Sequence, residues 1–159
     1  MRIAVIVTTY NRPDILAAVL EGYLAQTDED FELLVADDGS TQETAELIGQ
    51  FQQRAAFPIR HVWQEDRGFR AAAIRNRALA VTAADYIVFT DGDCVPPKDF
   101  VAAHRALAEP GWFLAGNRLM LTREFSEAVL LGKLPIHSWN KADWLAAWRR
   151  GQIERVLPL

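Results

Sequence analysis

The stretch YIVFTDGDCVPP, Tyr86 to Pro97, is an apolar run that ends in two carboxylates one residue apart, Asp91 and Asp93. Side chains alternate along an extended strand, so residues two apart share a face and both acids can reach one small target. Two hard oxygen donors suit Mg²⁺ or Mn²⁺, which take one or two carboxylates and complete their shells with water and substrate phosphates. A phosphate-binding region is implied nearby. RGFRAAAIRNR, residues 67–77, places Arg67, Arg70, Arg75 and Arg77 around a helix start, and both guanidinium groups and helix N-termini favour phosphate oxygens. Cation and arginines together suggest a diphosphate. Asp37 and Asp38 are adjacent, so in an extended segment they point opposite ways and make a poor acid/base pair; one of them suits a hydrogen bond to a base or ribose. Each cluster also has a plainer reading: acidic turns cap helices, DDGS is a common turn, and the arginines have Glu65 and Asp66 as partners. His61, His104 and His137 have no ligand spacing and, with Cys94, are read as structural.

The elements that must position these groups alternate. Arg2 to Thr9 is a β-branched run short enough for a buried strand, and Pro13 opens a helix at its first position. Ile15, Leu16, Val19, Leu20 and Leu24 then recur at helical spacing and cover one face of a sheet. Phe31 to Ala36 reads as a second strand, and Ser40 with Glu43 forms a capping box for a helix through about Arg54. Ile59 to Gln64 is a third strand, Ala71 to Thr82 an alanine-rich helix, and Asp85 to Thr90 a fourth strand. Pro96 and Pro97 start a helix to about Ala108, and Trp112 to Met120 is a candidate further strand. Two short helices are expected at 125–131 and 141–150. The class is α/β, doubly wound, with a mainly parallel sheet and helices on both faces. In such a sheet ligands sit outside the carboxyl ends of the strands, where strand order reverses. With the order 3-2-1-4, Thr8 to Arg12 face Asp91 and Asp93 across one crevice.

The 159 residues are half hydrophobic, enough for one compact domain. A net charge of −4 gives no basic field to attract nucleic acid. The single cysteine cannot form an internal disulfide and MRIAVIVTTY lacks the features of a signal peptide, so a reducing, cytoplasmic setting is expected. No apolar run reaches the roughly 18 residues of a membrane span. Trp139, Trp144 and Trp148 with Arg149 and Arg150 allow peripheral association with the inner face of a membrane, although packing against a neighbour is the simpler reading.

VTTYNRP at 7–13, ADDGS at 36–40, EDRGFRAAAIRNRAL at 65–79 and FTDGDCVPP at 89–97, in this order and spacing, resemble the nucleotide-sugar half of family 2 glycosyltransferases with the GT-A fold. The EDxGFR and DGDC forms are similar to the branch with chondroitin-polymerase-like and galactosyl or N-acetylgalactosaminyl transferases. The resemblance covers about residues 2–120. It implies a UDP-sugar donor bound by Thr8, Tyr10, Arg12, Asp38, Asp66, Arg70, Arg75, Asn76 and Asp91. Tyr10 would stack on the base, Asp38 accept from uracil, Arg70 and Arg75 lie near diphosphate or sugar, and Asn76 support the loop. Asp91 and Asp93 would hold the Mn²⁺ or Mg²⁺ ion that bridges protein and diphosphate. The reaction implied is an inverting transfer to a glycan or lipid-linked acceptor.

The family usually supplies a catalytic base from an acidic motif well after the metal site, often GWGxED-like, and no such motif follows Asp93. Asp99, Glu109, Glu124, Glu127, Asp143 and Glu154 are the downstream carboxylates, none in that setting. The expectation is therefore a donor-binding core at 1–120, followed at 121–159 by a helical segment that begins an acceptor-side region. Two rival classes remain: a metal-dependent sugar nucleotidyltransferase, disfavoured because no glycine-rich phosphate loop follows the first strand, and a non-catalytic, receiver-like binding module, which would want its acidic pair beside the first strand's end.

Overall fold

A computed structural model describes residues 1–155. Four strands, β1 (Ile3–Thr9), β2 (Phe31–Asp37), β3 (Ile59–Trp63) and β4 (Tyr86–Asp91), form one parallel sheet in the order β3-β2-β1-β4. β1 is central and reads as an unbroken apolar run because both its faces are covered. Between the strands run α1 (Pro13–Leu24), α2 (Gln42–Arg54) and α3 (Ala71–Ala80); α4 (Phe100–Leu107) follows β4. This is the doubly wound arrangement expected.

The two sheet faces are packed differently. On one, Val5, Val7, Leu33, Val35 and Val88 meet Leu16, Val19, Leu20 and Tyr23 of α1 and Ile48 and Phe51 of α2. On the other, Ala4, Ile6, Leu34 and Ala36 meet Ile74 and Ala78 of α3, with Val62, Ala84 and Ile87 packed at the margin. Alanines on both sides of that second contact leave room for α3 to lie close to β1 and β2, which brings Arg75 toward the strand ends. Gln26, buried just past α1, donates from Nε2 to the carbonyls of Gly22 (2.9 Å) and Pro97 (2.8 Å) and accepts from the Val101 N–H (2.9 Å). It ties the end of α1 to the segment that leaves the acidic turn.

Three expectations need correction. The helix α4 does not start at Pro96 and Pro97; it begins at Phe100, with Asp99 at its N-cap, after an irregular stretch. The helix α2 is not started by a Ser40–Glu43 box: its N-cap is Thr41, and the Ser40 hydroxyl is engaged by the Asn11 N–H at 2.8 Å. Residues 112–119 form no strand beside β4; pairing is confined to β5 (Met120–Leu121), which runs antiparallel to β6 (Ile153–Arg155). Trp112 and Phe113 are exposed instead, having neither an adjacent strand nor a helix to cover them. The C-terminal α5 (Arg123–Gly132) and α6 (Lys141–Arg149) have their own small core of Phe125, Val129 and Ile136, against which Trp139 and Trp144 pack. Packing thus accounts for two of the three tryptophans, while Trp148 stays half exposed. No helix among the described residues is long and apolar enough to cross a membrane.

Candidate active site

The connections from β1 to β2 to β3 move one way across the sheet, and β4 returns to the other side of β1, so strand order reverses between β1 and β4. Loops diverge at such a point and leave a crevice outside the strand ends. Here a crevice of about 200 Å³ opens, lined by Thr8, Thr9, Tyr10, Arg12, Ile15, Asp91, Gly92 and Asp93. Thr8 and Asp91 are register partners, so the two walls meet at the same level.

Asp91 is the last residue of β4, and Asp93 lies in the turn beyond it. The two acids converge through that turn, not through the alternation of an extended strand. Gly92 makes the turn possible: its N–H donates to the Thr8 carbonyl at 2.7 Å, and a Cβ on it would lie 2.7 Å from that same oxygen. The ligand atoms of Asp91, Asp93 and Cys94 come within 4.8 Å of one another. Two carboxylates on one turn form a donor set that fits Mg²⁺ or Mn²⁺. Cys94, read from sequence as a small apolar filler, has its Sγ 3.4 Å from Asp93 Oδ1 and 3.8 Å from Arg118. Burial, with the charge of Asp93, holds its thiol above the ordinary range despite Arg118.

Asp91 is already paired. Its Oδ1 accepts from Arg75 Nη2 at 2.6 Å, and Arg75 Nε donates to Thr8 Oγ1 at 2.8 Å, so this arginine bridges the ends of β1 and β4. Its Oδ2 faces Arg118 Nη1 at 3.4 Å. Arg118 was not among the sequence candidates; a single basic residue in GNRLML carries no motif, and only the path of residues 109–119 past the acidic turn brings it there. Arg12 forms a bidentate pair with Asp14, both contacts at 3.0 Å, which lowers the Asp14 carboxyl below its usual range.

Beside the crevice, the ends of β2 and β3 support the loop that carries Tyr10; Asp38, Asp66 and Arg70 themselves do not line it. Tyr10 donates from its hydroxyl to Asp66 Oδ2 at 2.8 Å, which raises the phenol above its usual value and lowers the carboxyl. Asp38 is almost fully buried and accepts from Gln64 Nε2 and from the Arg70 N–H at 2.6 Å. It fastens the arginine-bearing loop to β2. Gly39, at φ +102°, lets the Asp66 backbone pack where a Cβ would be 2.6 Å away. Asn11 also adopts a left-handed conformation, φ 48°, and its Oδ1 accepts from the Thr41 N–H at 2.9 Å. With the Ser40 bond this locks the YNRP loop to the DDGS turn, a role that no motif announced.

Of the four arginines in 67–77, Arg75 alone reaches the strand ends with its guanidinium. Arg67 pairs with Glu65 on the surface, and Arg70 turns its Nη2 to the Glu65 carbonyl. Asn76 and Arg77 are exposed on α3, and Asn76 has no side-chain hydrogen bond among the described residues, so no support of the loop by it is visible. None of the downstream carboxylates lines the crevice. Glu127 pairs with Arg123, Asp143 completes the capping box of α6, and Glu124 borders a separate cleft beside Gly151 and Gln152.

Comparison with known proteins places the chain in a family. The model of glycosyl transferase family 2 matches residues 4–120. The chain is 40% identical over 105 residues to a hyaluronan synthase of Pasteurella multocida, covering 65% of this chain and 11% of that one. It is 35% identical over 108 residues to a validoxylamine A glucosyltransferase of Streptomyces hygroscopicus subsp. jinggangensis, covering 64% and 25%. It therefore spans a quarter or less of the length of these relatives. Among solved structures, a mannosyltransferase from Pyrobaculum calidifontis in complex with GDP-Man and Mn²⁺ superposes with a TM-score of 0.61 at 30% identity, over 69% of this chain and 33% of that one. Staphylococcus aureus TarS gives a TM-score of 0.58 at 25% identity, over 67% and 19%. By sequence match and by fold, the chain belongs to glycosyl transferase family 2.

Proposed function

We propose that the crevice between β1 and β4 binds a nucleoside diphosphate sugar, in the first instance a UDP-sugar, together with Mn²⁺ or Mg²⁺, for inverting transfer to a glycan or lipid-linked acceptor. The observation that carries this reading is the convergence of Asp91 and Asp93 on one turn opposite the Thr8–Arg12 loop, at the reversal of strand order. The solved mannosyltransferase with GDP-Man and Mn²⁺ supports the ligand class.

Each residue then has a task. Tyr10, half exposed on the crevice wall, offers its ring to the base, and Asp66 fixes its orientation through the hydroxyl. Asp38, almost fully buried with both oxygens engaged, holds the Gln64–Arg70 loop beside the base. Arg12 and Arg75 flank the position of the phosphates, and Asp91 and Asp93 hold the cation. A cation bound there would stabilise the negative charge that develops on the departing nucleoside diphosphate. The acceptor hydroxyl must lose a proton to a base within hydrogen-bond reach, and no carboxylate downstream of Asp93 lines the crevice. Residues 1–120 therefore serve as the donor-binding core and 121–159 as the start of an acceptor-side region, and this chain alone binds donor but transfers sugar slowly or not at all.

The test is calorimetric titration of UDP and of GDP into the chain, with Mn²⁺ and with chelator, repeated on Asp93→Ala. Binding of a nucleoside diphosphate that needs the metal and is lost in the variant is expected. Absence of binding in every condition overturns the proposal, and so does rapid transfer to an acceptor by the chain alone its last part.

A further inference from the structure

Asp91 carries two guanidinium groups held in unequal ways. Arg75 is fixed twice, to Asp91 Oδ1 at 2.6 Å and to Thr8 Oγ1 at 2.8 Å, from a regular helix. Arg118 approaches Asp91 Oδ2 at 3.4 Å and Cys94 Sγ at 3.8 Å from an irregular segment, and 61% of its side chain is exposed. Its two contacts are both long, so it is held less firmly than Arg75. Asp93, two residues on, has no arginine bonded to it among the described residues, so two carboxylates and two guanidinium groups meet at the acidic turn, with the mutually paired Arg12 and Asp14 across the crevice.

This balance makes an isolated dication a poor guest. A cation drawn to Asp91 and Asp93 competes with Arg118 for one Asp91 oxygen and is repelled by it at short range. A diphosphate reverses the preference, because its oxygens accept the displaced guanidinium in the fork geometry that arginine favours. Resting on the donor-binding reading above, we propose that Arg118 is a latch that opposes metal binding in the empty crevice and moves to the diphosphate when nucleotide and metal enter together. It is a positioning residue that couples the two ligands, and linkage makes the coupling reciprocal.

The latch predicts effects of opposite sign from one substitution, which loss of a merely structural contact does not produce. Mn²⁺ binding alone is measured by electron paramagnetic resonance; UDP binding at saturating Mn²⁺ is measured by calorimetry, and uridine binding by competition. Arg118→Ala should bind Mn²⁺ alone several-fold more tightly and UDP about ten-fold more weakly, with uridine little changed. Arg118→Lys, which keeps the charge without the fork, should leave Mn²⁺ near the parent value and recover part of the UDP affinity. Weaker or unchanged Mn²⁺ binding in Arg118→Ala, or uridine falling in step with UDP, overturns the latch alone. A parent chain that binds no nucleoside diphosphate overturns the donor-binding reading and the latch with it.

Discussion

Asp37 is the most consequential residue beneath the crevice although it does not line it. Fully buried at the end of β2, it accepts from the Ser40 N–H at 2.8 Å, the Gly39 N–H at 3.2 Å and the His61 ring at 2.8 Å. Through that turn it positions Asp38, which holds the Arg70 loop, and Ser40, which holds Asn11. In Asp37→Ala the Ser40 amide is left buried without a partner, at about 1–3 kcal/mol, and the part-buried hydrogen bond between His61 and the carboxylate, worth about 1.5–3 kcal/mol, is lost, so the total is about 3–5 kcal/mol. Against the ~5–15 kcal/mol that stabilises a domain, this is severe. At an m-value of about 2 kcal/mol/M the urea midpoint should fall by roughly 2 M. Asp37→Asn keeps an oxygen for the two amides and should cost about 1–2 kcal/mol, so it remains foldable if the alanine variant is not. Burial opposes the ionised form of Asp37, but the His61 hydrogen bond and the Ser40 contacts outweigh it and hold the carboxyl below its usual value. A depressed folded-state value means that this stabilisation is complete above the unfolded carboxyl's pKa of about 3.9 and is lost as pH falls through the lower folded value. The Asn variant should lack that part of the acid dependence. An alanine variant whose midpoint shifts by less than about 0.5 M at unchanged m-value refutes the idea that this carboxylate carries the turn.

Other outcomes follow from the same geometry. Gly92→Ala places a methyl 2.7 Å from the Thr8 carbonyl and 3.2 Å from the Thr9 Cβ, so it should cost about 1–3 kcal/mol in thermal or urea unfolding and weaken Mn²⁺ binding by moving Asp93 away from Asp91. Tyr10→Phe removes only the bond to Asp66 and should leave nucleotide affinity within about three-fold, whereas Tyr10→Ala removes the stacking ring and should weaken it about ten-fold or more, as read by calorimetry. The Arg54–Glu21 pair, with contacts of 2.7 and 2.9 Å, is half exposed; Arg54→Ala should change stability by no more than about 1 kcal/mol in urea unfolding, because solvent screens such pairs.

Much of the fold was legible in one dimension because the signals are local. The apolar run before Thr9, Pro13 at a helix start and the alternation of strand and helix suffice for a parallel sheet, since each depends only on the period of a short segment and on right-handed crossovers. The acidic turn, the Thr8–Arg12 loop and the Arg67–Arg77 segment were visible for the same reason: their residue types stand out at the ends of apolar strands. Residues 112–120 misled because aromatic content marks a strand only when a neighbouring edge is there to receive it.

What sequence by itself determined, then, is which segments form the sheet and which loops meet at its carboxyl end, because periodicity and turn chemistry are properties of neighbours along the chain. Partnership was decided only by tertiary structure. That Arg75 spans Thr8 and Asp91, that Arg118 reaches the same carboxylate, that Asn11 clamps the DDGS turn and that Asp38 holds the Arg70 loop all depend on segments 16 to 67 residues apart. A hydrogen bond is set by distance and direction in space, and only close packing of the strands, with glycine at 39 and 92 admitting backbone where a side chain would not fit, brings those groups within reach.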